Sequence, residues 1–299
     1  MEYTYTHEIS EENKDIIKKY IVQKEDFARD KFEIELNDNK PDFTDDDKKQ
    51  FEGRKHYFSK LNEGRCGVVF ACISKNTLSS SSDKRPKIKA KPKGFPESEE
   101  KNTINGRLIF QYCHLIGYHL FAKSYDEDKK DANLKKIFTG TRFMNNEMFY
   151  YENKIANYVK KDKKRKVYYR VTPYFEVENE VAYGVQLEAK FIDKNGNEVK
   201  NLSFNVFVYN KQPDIRLEYK TGEILKDESI SLSEEMAKKK RNYIINKRSK
   251  RFHLECCASV RFIDEERKQE FSEKREDLKN GDIIKFKCCP CEICDSGIK

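Results

Sequence analysis

The sequence predicts an α+β fold with a mostly antiparallel sheet. An amphipathic pattern over Asn145–Lys160 predicts a helix, and three strand-length segments rich in β-branched and aromatic residues follow it, at Lys166–Phe175, Val181–Ile192 and Leu202–Tyr209. An Asn-Gly step within Asp193–Asn197 predicts a hairpin turn between the last two strands. The 17 tyrosines and 20 phenylalanines supply enough apolar surface for a core, which excludes a fully disordered chain.

The first 52 residues predict an acidic, helical N-terminal extension. Apolar side chains recur every three to four positions over residues 8–35, as on one face of a helix. Asn37–Asp47 is a polar linker, and a short helix is expected around Lys48–Leu61. The extension has nine Lys and Arg against sixteen Asp and Glu, a net charge of −7, which leaves +15 on the rest of a chain whose total is +8. A body this basic predicts affinity for nucleic acid, with a lysine-rich solvated surface as the alternative.

The segments before the long helix alternate between apolar and charged stretches. Cys66–Ser74 has the length and composition of a strand, and Leu78–Lys101 is a basic loop rich in serine, proline and lysine. Leu108–Leu120 is apolar with two embedded histidines, and Asp126–Lys136 is a charged loop. No apolar run approaches the ~18 residues of a membrane helix, and the N-terminal residues show no secretory leader.

Three polar residues in the centre of the chain form a candidate catalytic group. His114 lies where the apolar segment gives way to a loop. Asn145 and Glu152 are seven residues apart, so two helical turns place them on one face. A carboxamide and a carboxylate suit a hydrated Mg²⁺ ion, and a neutral imidazole can take a proton from water. A histidine in an apolar setting is more often structural, so the neighbouring residues carry the argument.

Six segments that occur in order resemble one known family. They are GRCGVVFACI (64–73), CHLIGYHL (113–120), TGTRFMN (139–145), YRVTPYF (169–175), GVQLEAK (184–190) and FNVFVYNKQPDIRLEYKTGE (204–223). Over about 57–223 the chain resembles the DNA/RNA non-specific endonucleases of the streptodornase type. The resemblance implies a ββα-metal (His-Me finger) core that hydrolyses DNA and RNA with Mg²⁺ and leaves 5′-phosphate ends. It implies His114 as the general base, Asn145 as the Mg²⁺ ligand, and Glu152 as the carboxylate that holds the metal's water shell.

The chain departs from the family pattern at two positions. Tyr112 occupies the position of an arginine that would bind phosphate, and Arg142, Arg107 and Arg65 are candidates to replace it in substrate binding. Lys136 stands where the branch often has an asparagine, which Asn133 could replace. These departures keep open a nucleic-acid-binding protein with a degenerate site.

Other residues near these segments have two interpretations each. His119 is expected to be structural or to face substrate, with a ligand role as the alternative. Cys66 and Cys113 are expected to be buried thiols, with a mutual disulfide as the alternative.

Six of the nine cysteines lie in the last 44 residues and predict a zinc site. His253 and Cys257 have H-x₃-C spacing, and Cys291 and Cys294 have C-x₂-C spacing, which fits a tetrahedral structural Zn²⁺. Residues 241–295 also resemble a small Ada-like zinc-binding module. The extra Cys256, Cys288 and Cys289 allow another ligand set, and a disulfide-linked tail is the remaining alternative.

The predicted organisation has four parts: the extension (1–52), the nuclease domain (53–225), a linker (226–240) and the zinc module (241–299). The leading function is a Mg²⁺-dependent endonuclease acting on DNA and RNA, with no membrane association. A toxin-type nuclease restrained by an inhibitor or immunity partner, or by its acidic extension, is a further alternative. The resemblance implies secretion, whereas the missing leader leaves a cytoplasmic location open.

Overall fold

The computed structural model divides the chain into two compact units. The first comprises residues 1–212 and 216–225, and the second comprises residues 213–215 and 226–299. The structure describes residues 7–21, 32–52, 56–80, 82–83, 88, 90–104, 107–122, 133–212, 215–225, 240–254, 260, 263–274 and 287–288.

A six-stranded antiparallel sheet organises the first unit. Its strand order is β1-β10-β9-β8-β3-β2. The bounds are β1 Glu33–Glu35, β2 His56–Phe58, β3 Val69–Ser74, β8 Lys166–Tyr174, β9 Gly184–Ile192 and β10 Phe204–Tyr209. The three strands predicted after the long helix are confirmed. The predicted turn between β9 and β10 has Gly196 at φ 92°, and the Asp193 carboxylate accepts hydrogen bonds from the backbone N–H groups of Asn195 and Asn197.

The long helix covers the inner face of this sheet. It spans Arg142–Lys160 (α3), three residues longer at its N-terminus than the sequence pattern predicts. The core between helix and sheet includes Met144, Met148, Ile155 and Val159 from the helix. Alternate residues of the strands, such as Val167, Tyr169 and Val171, face them. Each such side chain contributes ~1.5–3 kcal/mol by leaving water, so this interface fixes where α3 lies.

Most of the N-terminal segment covers the outer face of the same sheet, while Phe32 and Glu33 contact Phe143 and Tyr151 of α3. It contains α1 (Glu11–Lys18), strand β1, a 3-10 helix at Asn37–Asn39, and α2 (Asp45–Glu52). The helix predicted over 8–35 is therefore wrong beyond Lys18 where the chain is described, because Glu33–Glu35 pairs with β10 as an edge strand. Its apolar residues pack on the sheet: Ile9, Ile17, Ile34 and Leu36 against Phe207 and Tyr209, and Phe43 against Phe70 and Tyr168.

A β-hairpin and α3 form a compact ββα arrangement. Strands β6 (Phe110–His114) and β7 (Ile137–Thr141) pair antiparallel, with His114 opposite Ile137. The chain passes from β7 into α3 without a loop. Two short antiparallel strand pairs complete the unit: β4 (Thr103–Ile104) with β5 (Arg107–Leu108), and β11 (Arg216–Glu218) with β12 (Glu223–Leu225).

The second unit contains a four-stranded sheet in the order β15-β13-β14-β16. The bounds are β13 Lys240–Asn246, β14 Arg251–Leu254, β15 Lys268–Lys274 and β16 Lys287–Cys288, with a 3-10 helix at Glu265–Arg267. Strand β16 runs parallel to β14 and places Cys288 opposite Phe252. Among the helices of the described part, none is long and apolar enough to cross a membrane.

Candidate active site

Several buried side-chain hydrogen bonds hold the corner between β7 and α3. Thr141 caps the helix, since its Oγ1 accepts a hydrogen bond from Met144 N at 3.1 Å and donates one to the Lys211 carbonyl at 2.6 Å. Such a cap contributes ~1 kcal/mol to the helix. It also ties the first turn of α3 to the segment that follows β10.

Asn210, in that segment, binds the same corner from the other side. Its Oδ1 accepts from Thr141 N at 2.8 Å, and its Nδ2 donates to the carbonyls of Thr139 and Ala182, each at 3.0 Å. The residue is fully buried, so these bonds replace water that cannot reach it. The start of α3 is therefore held to both β7 and the chain beyond the sheet.

Asn145 projects from the first turn of α3 toward β6. Its Nδ2 donates to Gln111 Oε1 at 2.9 Å. This bond fixes the plane of the carboxamide and leaves Oδ1 as its acceptor end. An amide oxygen held in this way has the chemistry of a Mg²⁺ ligand.

Glu152 lies two turns further along α3 and contacts the turn that follows β6. Its Oε1 accepts from Gly117 N at 2.6 Å, and its Oε2 lies 3.8 Å from His119 Nδ1. The side chain is only 4% exposed. A Cβ atom on Gly117 would lie 2.3 Å from Glu152 Oε2, so only glycine allows this approach.

His114 lies midway along the chain between these two contacts. It ends β6, three residues after Gln111 and three before Gly117. The hydrogen bond from Leu115 N to the Lys136 carbonyl, at 2.9 Å, continues the ladder past it and fixes its backbone. Helix α3 is thus hydrogen bonded to the strand on one side of His114 and to the turn on the other.

Two rings lie beside Glu152. His119 and Phe149 meet edge to face with centroids 5.2 Å apart, and the Phe149 side chain is 48% exposed. His119 thus contacts Glu152, on the predicted metal-holding face of α3, and Phe149 one turn before it.

The predicted phosphate-binding arginines differ in their surroundings. Arg65 is largely buried, and its NH1 donates to the carbonyls of Glu176, Val177 and Asn179 at 2.9–3.1 Å, so it ties down the loop after β8. Arg142 begins α3 and is half-buried. The Arg107 side chain lies outside the described residues.

The two departures from the family pattern have structural surroundings of their own. Tyr112 packs edge to face on Phe95 with ring centroids 4.4 Å apart. Lys136 is buried with its Nζ 5.7 Å from the Phe58 ring centre, and Asn133 is buried close by in sequence. Tyr112 therefore contributes packing at the position where a phosphate-binding arginine would be expected.

Cys66 and Cys113 are free, buried thiols, and no disulfide joins them. Burial raises the pKa of the Cys66 thiol to about 12 and raises that of Cys113 as well. A Cβ on Gly140 would lie 2.4 Å from Cys113 Sγ, so the thiol fills the space that this glycine leaves.

Of the predicted zinc ligands, His253 alone is described. It lies on β14 and is 5% exposed. Cys257, Cys291 and Cys294 lie outside the described residues, as do Cys256 and Cys289. Within the described part of the chain, no three His, Cys, Asp or Glu side chains form a metal-binding cluster.

The donor set at the α3 corner fits a hydrated divalent cation. It combines one amide oxygen, oriented by Gln111, with one buried carboxylate, oriented by a backbone N–H. Mg²⁺ prefers oxygen ligands and keeps several waters, so two protein oxygens suffice. The carboxylate lies so close to Gly117 that a Cβ there would be 2.3 Å from its Oε2, which fixes the position of this oxygen.

Three of these supporting residues were not predicted from the sequence. Gln111 and Gly117 contact the predicted Asn145 and Glu152 from 34 and 35 positions away in the sequence. Asn210 contacts Thr141, at the start of the helix, from 69 positions away. Their local signals are weak, although Gly117 and Asn210 both fall inside the family-like segments.

Comparison with known proteins matches this region to nucleases. The family described as DNA/RNA non-specific endonuclease matches residues 48–193, just under half of the chain. NucA from Streptococcus agalactiae with magnesium ion bound has 25% identity and a TM-score of 0.51, over 64% of this chain and 86% of that one. The same protein with no metal bound gives 26% and 0.50 over the same shares. The Sda1 nuclease with bound zinc ion gives 21% and 0.49, over 67% and 98%.

Proposed function

We propose that the chain is an endonuclease that cuts the phosphodiester bonds of DNA and RNA with Mg²⁺ and leaves 5′-phosphate ends. The similarity of residues 48–193 to the DNA/RNA non-specific endonucleases supports the proposal. The observation that carries the proposal is the pair of hydrogen bonds, Asn145 to Gln111 and Gly117 to Glu152, on either side of His114. They support one site built from an imidazole, a carboxamide and a carboxylate.

Each of the three residues has one role in the proposed reaction. His114, as general base, takes a proton from a water molecule, whose oxygen then attacks phosphorus. The P–O3′ bond breaks, the 3′ oxygen leaves with a proton from solvent, and the phosphate stays on the 5′ end. Asn145 and Glu152 would hold the metal and its waters. Bound Mg²⁺ would supply neutralisation of the charge that develops on phosphate and leaving oxygens.

Arg142 is the strongest of the three candidates to bind the phosphate. It begins α3, where the helix dipole also favours an anion. Arg65 has one guanidinium nitrogen engaged by three backbone carbonyls, which favours a structural role. Arg107 remains a candidate from the sequence.

A plasmid-nicking assay with Mg²⁺, with and without EDTA, tests the proposal. His114→Ala is expected to lose ~10²–10⁴-fold in rate, the usual contribution of a general base. His56→Ala is the matched control, because His56 is exposed on β2. Cleavage that survives EDTA, or full activity in His114→Ala, would contradict it. Tight DNA binding without any cleavage would instead favour a binding protein with a degenerate site, which Tyr112 motivates.

The acidic extension has less support as an inhibitor of the site. Most of its described apolar residues pack on the outer face of the sheet. Phe32 packs on the Phe143 ring of α3, and Glu33 accepts a hydrogen bond from the Tyr151 hydroxyl, but neither contact involves His114, Asn145 or Glu152. This favours a structural role for the extension. An external inhibitor or immunity partner stays a hypothesis, which co-purification with the intact nuclease would test. Secretion also remains a proposal, and detection of the chain in culture medium checks it.

We also propose a structural Zn²⁺ held by His253, Cys257, Cys291 and Cys294 in the second unit. The parallel pairing of β14 with β16 supports it, because it brings Cys288 beside the strand that carries His253. Cys291 follows Cys288 by three positions in the sequence. One zinc atom per chain, lost in a Cys291→Ser and Cys294→Ser double variant, is the expected metal content.

A further inference from the structure

The solvent-exposed face of α3 carries no negative charge. The helix has two acidic residues, Glu147 and Glu152, and both are buried. Its exposed positions are instead an aromatic ring, amides and one lysine: Asn146, Phe149, Asn157 and Lys160. A surface helix usually mixes both signs of charge, so this face is unusual in a chain with 52 acidic residues.

A dense group of cations follows directly at the C-terminal end of the helix. Lys160–Lys166 reads KKDKKRK, six cations and one carboxylate in seven residues. Two of the cations lie over aromatic rings, Arg165 at 4.6 Å from the Tyr158 centroid and Lys166 at 5.0 Å from that of Tyr168. We call Lys160–Lys166 the basic segment.

Two carboxylates in or near this segment accept hydrogen bonds from backbone N–H groups. Asp162 accepts a hydrogen bond from Lys164 N, and Asp193 accepts from two N–H groups of its own hairpin. Across the residues that the structure describes, no ion pair involves the exposed Lys160, Lys161, Lys163 or Lys164. Asp162 therefore offsets one of the six positive charges of the segment, and the remaining cations repel one another.

The helix dipole accounts for only part of this charge. It favours cations in the last turn, which covers Lys160, whereas the other five lie beyond the helix. A polyanion with regularly spaced charges would neutralise the whole group. DNA and RNA have such spacing, and they are the substrates that the proposed function gives to the other end of the same helix.

We propose that the basic segment is a secondary nucleic-acid-binding site, which holds the phosphate backbone of the substrate away from the cleaved bond. Fifteen residues of α3 separate Asn145 from Lys160, about 22 Å at the helical rise. That distance corresponds to roughly six base pairs of duplex. The uncharged exposed face of α3 lies between the two ends and offers the strand no repulsion. The inference rests on the proposed function only for the identity of the substrate.

Binding in EDTA tests this site without any cleavage. The variant carries Lys→Gln at positions 160, 161, 163 and 164, and its control carries Lys→Gln at 18, 19, 40 and 49 in the N-terminal segment, an equal loss of charge. Affinity for a fluorescent 30-nucleotide single strand is measured by anisotropy at several salt concentrations. We expect at least a tenfold loss in the first variant, with a salt slope smaller by about 3, since each lost phosphate contact removes ~0.7.

The length of the probe separates this site from the catalytic one. A dinucleotide has a single phosphodiester bond and cannot reach both, so its cleavage rate is expected to be unchanged in the variant at positions 160, 161, 163 and 164. Equal affinities of the two quadruple variants for the 30-mer would overturn the proposal. So would a loss of binding to anionic lipid vesicles with DNA binding intact. Failure of the proposed cleavage would show instead as an inactive wild-type protein that still binds DNA through the basic segment.

Discussion

Charged side chains have different partners on the two faces of the six-stranded sheet. On the outer face, Arg170 is 1% exposed and lies between Glu188, whose Oε2 accepts from its Nε at 2.7 Å, and Asp47, whose Oδ2 lies 3.3 Å from its NH1. Its NH2 also donates to the Asp42 carbonyl at 2.6 Å. Here opposite charges meet, and the result is a closed network beneath the N-terminal segment.

On the inner face, at the α3 corner, the polar groups are fixed by neutral partners. Asn145 is held by an amide, and Glu152 by the N–H of Gly117. A carboxylate oriented by a backbone N–H keeps its negative charge, whereas one paired with arginine is neutralised. The outer network therefore attaches the extension, whereas the corner has the oxygen donors that the proposed metal site requires.

The largest expected effect is on the outer face. Arg170→Met leaves Glu188 and Asp47 buried without their cation, and removing one partner of a buried pair costs about 3–5 kcal/mol. We expect this loss in the free energy of unfolding, measured with urea. The folded fraction should keep its nuclease activity at low temperature, because the corner is unchanged.

Arg165→Met is the control for that substitution. Arg165 is half-buried and lies over the Tyr158 ring, so its loss is expected to change stability by less than about 1 kcal/mol. If the folded Arg170→Met protein lost activity at saturating substrate concentration, the outer network would be coupled to the site. The contrast between the two faces would then fail.

The second largest expected effect concerns His7, which makes the free energy of unfolding depend on pH. Burial, followed by the Arg170 guanidinium, lowers its pKa to about 4, although Glu188 Oε2 lies only 3.6 Å away. The unfolded chain binds this proton near pH 6.5 and the folded chain does not. Stability is therefore lost as pH falls from about 6.5 to 4, by at most ~3 kcal/mol. The charged groups that face His7 are Arg170, Asp47, Asp42, Glu8 and Glu188.

Urea unfolding at pH 7, 6, 5 and 4 measures this contribution. His7→Gln is expected to flatten the pH dependence over this range, and His56→Gln, at an exposed position, should leave it as in the wild type. If the free energy of unfolding changed with pH equally in all three proteins, the pH dependence would belong to other groups and not to His7.

The sequence predicted the inner face better than the outer one, for a physical reason. Alternation and helical periodicity are local signals, so β8, β9, β10 and α3 could be predicted within a few residues. The outer face depends on partners far apart in sequence, such as Arg170 and Asp47, 123 positions apart. No periodicity reveals such a pair. The same holds for β1, whose helical-looking context is overridden by pairing with β10.

At the site, spacing predicted which residues share a face but not what holds them. The seven-residue interval put Asn145 and Glu152 on one side of α3. Gln111 and Gly117 fix these side chains through tertiary contacts, and Asn210 fixes the corner from which the helix starts. A single glycine or amide in a sequence gives no sign of such a contact, so these residues could be found only in the structure.

The smallest of the three effects tests the corner directly through Gly117→Ala. The added Cβ would lie 2.3 Å from Glu152 Oε2 and 2.9 Å from His119 Cε1, so the carboxylate must move. We expect kcat/KM to fall about 10–100-fold, as when a residue that orients a metal ligand is changed, with the thermal stabilisation by added Mg²⁺ reduced as well. Gly196→Asn is the control, because nothing lies within 4 Å of that glycine's Cβ position and asparagine tolerates its positive φ. If Gly117→Ala kept both activity and the Mg²⁺ response, Glu152 would not be the carboxylate on which the corner depends.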